Sequence, residues 1–172
     1  MSKRTSIVSA DHLAQAALPG AAGLSEFEYG LIVAFGAFSR WTVRCMTAAG
    51  WPDLAHLDVL VLHSVRHRGR GKRGADICFV LGIEDAHTVT YALKKLVRLG
   101  LVEKEKSGKE SFFVATQEGR NACARYSVVR EACLLQAFEA LGLEAQEMQD
   151  WASGLRALSG LYDQGARAAA SL

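Results

Sequence analysis

Leu81-Gly82-Ile83-Glu84-Asp85-Ala86-His87-Thr88-Val89-Thr90-Tyr91-Ala92-Leu93-Lys94-Lys95-Leu96-Val97-Arg98-Leu99-Gly100-Leu101-Val102 reads as a helix over 85–99 with a turn before it and a glycine after it. At 100° per residue, Ala86, Val89, Ala92, Leu93, Leu96, Val97 and Leu99 gather on one side. The opposite side carries His87, Thr88, Thr90, Tyr91, Lys94, Lys95 and Arg98. That set holds hydrogen-bond donors, fixed positive charge and no acid, which suits a helix that meets phosphates and base edges. Glu84 and Asp85 supply a capping carboxylate at the start, and Gly100 stops the helix.

Upstream, residues 75–81 are a short apolar segment ending at Gly82, enough for two helical turns and a tight turn, so the pair reads as helix-turn-helix. Downstream, 101–106 and 111–116 have strand-like composition and are joined by Ser107-Gly108-Lys109-Glu110, a hairpin with a small loop. A helix-turn-helix followed by a hairpin is the winged-helix plan, and Lys104, Lys106 and Lys109 load that wing with charge.

Leu81-Gly82-Ile83, then Thr88-Val89-Thr90, Leu93, Leu96 and Gly100-Leu101-Val102, then Thr116-x-x-Gly119-Arg120, resemble the multiple antibiotic resistance regulator (MarR) family over residues 25–143. The resemblance implies a mainly α fold with a small β-hairpin wing, a winged helix-turn-helix flanked by long dimerisation helices. It also implies a homodimeric, sequence-specific DNA-binding transcriptional regulator, acting as a repressor modulated by a small-molecule effector held between the dimer helices and the winged helix. Where such regulators carry an Asp-x-Arg wing signature, this chain has Ser107-Gly108-Lys109, which keeps a cation but loses the acid that would brace it.

The chain of 172 residues is 50% hydrophobic, enough for a core, and its net charge of +2 says little about partners. Charge distribution says more. Residues 63–110 hold eleven Lys or Arg against six acids, whereas 111–172 hold five against seven. The surplus is densest in the loop with Arg66, Arg68, Arg70, Lys72 and Arg73, where each neutralised phosphate would release counterions. The expected DNA-contacting residues are therefore His87, Thr88, Thr90, Tyr91, Lys94 and Arg98 on the helix, Arg68, Arg70, Lys72 and Arg73 in the loop, and Lys104, Lys106 and Lys109 on the wing.

Around this centre the chain divides into an arm (1–24), an N-terminal helix (25–52), the winged helix (53–116) and C-terminal helices (117–172). The arm is expected to be partly disordered with a short helix around 11–17. Lys3 and Arg4 at its tip could touch DNA, and the arm could strap a dimer. A solvated terminus is favoured over both. Ser25-x-x-Glu28 is read as a capping box opening a helix to about Ala49, and Pro52 as the first turn of a helix running to His67. A helix over 117–141 carries Ala122, Tyr126, Val129, Cys133, Phe138 and Leu141 on an apolar stripe. Another, over 144–163, carries Met148, Trp151, Leu155, Leu158, Leu161 and Tyr162. Both stripes, like that of Phe27, Leu31, Phe35 and Phe38, call for a partner, and a second copy of the chain is the expected one.

Catalytic signatures are absent: there is no Gly-x-Ser-x-Gly, no His-Glu-x-x-His and no phosphate-binding Gly-x-x-x-x-Gly-Lys. No cofactor and no metal are expected. His63 and His67, four apart, could form half a zinc site, but no further ligands are legible. Cys45, Cys78, Cys123 and Cys133 are widely spaced, as in a cytoplasmic protein without a secretory leader, and no apolar run approaches the length of a membrane span. Two alternatives stand beside the regulator: a winged helix used only for protein assembly, and a regulator triggered by cysteine oxidation, with Cys78 nearest the basic segment.

Overall fold

The computed structural model describes residues 21–172. Lys3, Arg4 and the helix expected around 11–17 lie outside the described residues. The first helix, α1, spans Ala21–Ala48. Ser25 and Glu28 are therefore interior helical positions, and residues 21–24 of the expected arm belong to the helix. Glu28 is used tertiarily instead: its Oε1 accepts from the Tyr162 hydroxyl at 3.1 Å.

The second helix, α2 (His56–Arg66), also starts away from its expected signal. Pro52 and Asp53 lie in a turn ahead of it, and the Asp58 carboxylate reaches back to accept from the Ala55 amide at 2.8 Å. That contact satisfies one of the donors a helix start leaves open. The helix closes in a 3-10 turn, His67–Gly69, where Arg68 takes a left-handed conformation (φ 64°).

Helix α3 (Gly74–Leu81) ends at Gly82, whose φ of 64° lets the Ile83 amide return to the Cys78 carbonyl at 2.9 Å. Helix α4 (Ala86–Arg98) follows, opened by Asp85, whose Oδ1 accepts from the His87 amide at 2.9 Å. The wing is β1 (Val102–Ser107) paired antiparallel with β2 (Glu110–Ala115). Pairing runs out to Ser107 and Glu110, so the connection is two residues, Gly108 and Lys109, where four were expected; Gly108 supplies the positive φ, 61°, that this tight turn needs. Lys72 adds a single antiparallel bridge to the outer edge of β2, exchanging both backbone hydrogen bonds with Phe113 at 3.0 and 2.8 Å.

Beyond the wing, α5 (Gln117–Arg130) passes through a π-helical turn (Glu131–Leu135) into α6 (Gln136–Ala140), and α7 (Ala145–Ala169) follows after Gly142. Thr116 makes the corner between sheet and α5. Its Oγ1 donates to the Gly100 carbonyl at 2.6 Å and accepts from the Gly119 amide at 3.0 Å. A Cβ on residue 119 would collide with the Leu101 carbonyl oxygen, which is the physical reason for glycine in Thr116-x-x-Gly119.

The core sits within the winged helix. Val59, Leu62 and Val65 of α2, Ile77 of α3, and Val89, Leu93 and Leu96 of α4 pack with Leu101 and Val102, closed by Met46 of α1 and Ala122 of α5. Ala86 and Val97, expected on the inner face of α4, are exposed instead. The apolar stripes of α1 and α7 face outward: Phe35 is 63% exposed and Trp151 60%.

Candidate nucleic-acid interface

Four buried side chains, Val89, Ala92, Leu93 and Leu96, fasten α4 by one face. Each large aliphatic among them contributes about 1.5–3 kcal/mol by leaving water, so the rotation of the helix about its axis is held by its core side. What remains outward is His87, Thr88, Thr90, Tyr91, Lys94 and Arg98, all exposed. Thr88 Oγ1 donates to the Asp85 carbonyl at 2.7 Å and Thr90 Oγ1 to that of Ala86 at 2.9 Å, which points their oxygen lone pairs away as acceptors. The Tyr91 ring is 71% exposed, with the Lys94 ammonium 5.8 Å from its centroid. This surface combines donors, acceptors, a flat aromatic and two cations on a rigid helix.

Lys95 does not belong to that face. Its ammonium turns inward to the buried Asp58 carboxylate at 2.6 Å and to the Asp53 carbonyl at 2.5 Å, tying α4 to the start of α2. The charge is consumed in holding the helix, and the two outward cations of α4 are Lys94 and Arg98.

The basic loop separates into two pairs. The Lys72 ammonium donates to the carbonyls of Ser64 and His67 at the end of α2. Arg73 is held by Asp76 at 2.9 Å and by Glu110 near the wing tip at 2.9 Å. These two were expected as phosphate contacts, and each has a protein partner. Arg68 and Arg70 are exposed, and among the described residues neither side chain has a hydrogen-bond or ion-pair partner. They sit at the foot of the wing: Lys72 pairs with Phe113 antiparallel, so Arg70 lies toward Ala115, away from Gly108 and Lys109. At about 3.3 Å per residue the tip is roughly 17 Å beyond Phe113. Lys104, Lys106 and Lys109 are exposed on the wing itself, interleaved with the exposed acids Glu103, Glu105 and Glu110.

The histidines that sequence spacing pairs go separate ways. His67 is exposed, whereas His63 packs edge-on against Tyr126 with ring centroids 4.7 Å apart. Burial pushes the His63 imidazole below its usual value, reinforced by Arg66 and Arg130. Among the cysteines, burial holds Cys45 above the ordinary thiol value and pushes Cys123 up to about 11. Both are therefore poor nucleophiles. Cys78 is half-buried against the core, and Cys133 is exposed on the π-helical turn.

A polar feature that sequence reading missed lies between α1 and α2. The His56 ring is met edge-on by Phe35 and Phe38, with centroids at 5.8 and 5.9 Å, and its Nδ1 shares a 2.6 Å hydrogen bond with Thr42 Oγ1. Thr42 has one hydroxyl proton and donates it to the Ser39 carbonyl at 2.9 Å. Nδ1 is then the donor to Thr42, and burial, which lowers the His56 pKa, leaves Nε2 as an acceptor. His56 Nε2 and Ser39 Oγ are both buried with no protein partner. Periodicity shows only the α1 side of this cluster, Phe35 and Phe38, and does not bring His56 to it, because its members come from two helices.

Comparison with known proteins agrees with the geometry. Residues 54–119 match the winged helix DNA-binding domain family. No curated protein matches the chain by sequence. Among solved structures, a MarR-family regulator from Neisseria meningitidis superposes with a TM-score of 0.65 at 16% identity, covering 83% of this chain and 95% of that one. MarR from Staphylococcus aureus, in complex with salicylate and kanamycin, gives 0.64 at 18%, covering 81% and 92%. FabT from Streptococcus pneumoniae, in complex with DNA, gives 0.64 at 15%, covering 82% and 98%. The chain thus carries a winged-helix DNA-binding domain within the fold that MarR-family regulators share. Among the described residues, no helix is long and apolar enough to cross a membrane.

Proposed function

We infer that this chain is a MarR-type transcriptional regulator that binds specific double-stranded DNA as a homodimer. The observation that carries the reading is the outward face of α4: six exposed polar side chains on a helix locked by its buried side, beside a cationic hairpin. His87, Thr88, Thr90 and Tyr91 lie nearest the helix start and reach base edges, Lys94 stands at the margin, and Arg98 meets phosphate. Lys104, Lys106 and Lys109 meet backbone phosphates from the wing. Two copies joined through α1 and α7 present two such helices to half-sites about one helical turn, roughly 10 bp, apart.

The likeness to a regulator bound to DNA supports the first part of this reading, and the likeness to one bound to salicylate and kanamycin supports a small-molecule effector. The His56 cluster, with two aromatic rings against the imidazole and two buried polar atoms lacking protein partners, lies between α1 and α2, where an effector would report on both. Repression is the corresponding mode of action, with the effector releasing DNA.

Selection from random duplex DNA tests the reading. A preferred site with two half-sites should emerge, and Thr90→Ala or Tyr91→Ala should weaken binding to it by about 1–3 kcal/mol while relaxing its sequence preference. Equal loss on every sequence would remove the base-reading role.

A further inference from the structure

The wing carries its charges sorted by face. Side chains alternate along a strand, and the pairing of Glu105 with Phe112, Lys106 with Ser111 and Ser107 with Glu110 fixes which of them share a side. Glu103, Glu105 and Glu110 lie on one face, with Phe112 and Val114. Lys104 and Lys106 lie on the other, with Ser111 and Phe113. Alternation in sequence therefore becomes separation in space, an acid face and a lysine face.

Arg73 stands beside the acid face. The bridge between Lys72 and Phe113 is antiparallel, so residue 73 falls opposite Phe112, and Glu110 is the next side chain toward the tip on that side. All three guanidinium nitrogens are used. Nε and Nη2 donate to the two Asp76 carboxylate oxygens at 3.1 and 2.9 Å, and Nη1 donates to Glu110 Oε1 at 2.9 Å. The two-point fork on Asp76 fixes the guanidinium plane, and Asp76 Oδ2 also accepts from the Arg73 amide at 3.2 Å. The Lys72 bridge before Arg73 and the start of α3 after it hold its backbone as well. From this fixed base the remaining nitrogen takes one wing acid. Glu103 and Glu105 have no ion-pair partner among the described residues, so Arg73 with Glu110 is the hairpin's one ion pair there. An isolated exposed pair does little, but this one joins two elements through a guanidinium already ordered by a second carboxylate.

We propose that Arg73 is a positioning residue for the wing: by clamping Glu110 it holds the acid face toward the start of α3 and presents Lys106 and Lys109 to DNA phosphates. The proposal rests on the DNA-binding reading and adds to it a residue that does not touch DNA. It also gives Glu110, an acid at the tip of a surface that meets phosphates, a reason to be there.

Two glutamates of the same face make the test. Glu105→Gln and Glu110→Gln each remove one negative charge from the wing, and fluorescence anisotropy measures the affinity of the full chain for a duplex selected from random DNA, from low to moderate salt. Glu105→Gln should tighten binding by about twofold, as the loss of a repelling surface charge does. Glu110→Gln should weaken it by about tenfold and flatten its salt dependence, as a lost charge-assisted phosphate contact does, with an unchanged melting temperature. Arg73→Lys should lose as much as Glu110→Gln, because an ammonium cannot hold both carboxylates as the planar fork does. Both changes together should cost no more than either alone. Without DNA, amide hydrogen exchange over residues 103–113 should be about two- to fivefold faster in each variant.

Tighter binding by Glu110→Gln would overturn the proposal and leave Glu110 an ordinary surface acid, with the DNA-binding reading intact. Arg73→Lys binding as well as wild type would overturn it too, by making Arg73 a point charge on phosphate. Exchange unchanged in both variants would show that the clamp does not hold the hairpin. A wild type for which no duplex can be selected would sink the DNA-binding reading and the proposal with it, and the exchange result tells these failures apart.

Discussion

Between Leu54 and Tyr126, α2, α3, α4 and α5 each send side chains into one core, and the hairpin closes it with Val102 and Ala115. The twenty-five residues of α7, by contrast, contain no buried residue, although the helix carries Trp151, Leu155, Leu161 and Tyr162. Both regions are rich in apolar side chains, so composition does not separate them. The difference lies in closure: the winged helix finds all its packing partners within one chain, whereas the stripes of α1 and α7 present theirs to whatever comes next. One region is built to hold a surface in place, the other to be completed.

Glycine substitutions break or sharpen that contrast most directly. Gly119→Ala should cost about 3 kcal/mol or more, because the new methyl group meets backbone rather than a flexible side chain. Gly160→Ala in α7 has open space around it and should gain about 0.5–1 kcal/mol from helix propensity. Chemical unfolding followed by circular dichroism measures both. A mild effect at Gly119 would mean that the corner between sheet and α5 yields, and that the core is less closed than its geometry shows.

A second test acts on the open region. Trp151→Asp combined with Leu155→Asp should leave the winged helix folded and raise the dimer dissociation constant by about a hundredfold or more, since truncated aromatic and aliphatic anchors commonly cost about 2 kcal/mol each. Sedimentation at micromolar concentration reads the result. A wild-type monomer under those conditions would assign the exposed stripes to some other partner and remove the basis for two-half-site recognition.

The same contrast explains what the sequence made legible. Helix α4, its Asp85 cap, the Gly82 turn and the hairpin all rest on local signals, periodicity and turn chemistry, and they stand where expected except that the hairpin turn is two residues shorter. A helical wheel groups Lys95 with the outward cations because it knows only angle; its direction is set by Asp58, thirty-seven positions away in the chain. Lys72 and Arg73 illustrate the same limit, since counting charges in a loop cannot say that one caps α2 and the other clamps Glu110. Ser25-x-x-Glu28 and Pro52 are sound start signals that the chain passes over, α1 having begun earlier and Asp58 having capped α2 later. Of the His56 cluster only the α1 stripe with Phe35 and Phe38 shows in the sequence, because His56 joins it from a second helix.

The smallest of the expected effects is a pH dependence confined to the closed region. His63 is packed on Tyr126 with Arg66 and Arg130 nearby, and burial first, then these arginines, hold its folded pKa below the ordinary 6.5. The unfolded chain regains the ordinary value, so below about pH 6.5 it binds protons that the folded protein does not, and stability must fall as pH falls. Above that value both states are neutral at this site and it contributes no slope. The loss continues downward until the folded imidazole itself is protonated. His63→Phe keeps a ring against Tyr126 and should flatten the part of the acid slope that His63 contributes, leaving the part from His56, whose pKa burial also lowers. Helices α1 and α7 contain no histidine, and by ring contact or hydrogen bond only His56 reaches either, through Phe35, Phe38 and Thr42 of α1. Dimer dissociation should therefore show at most the His56 part of this dependence between pH 5 and 7, while unfolding shows the His63 part as well. Urea unfolding across that range, beside sedimentation in the same buffers, compares the two, and an acid slope equal in both would mean that the core and the exposed helices do not behave as separate regions.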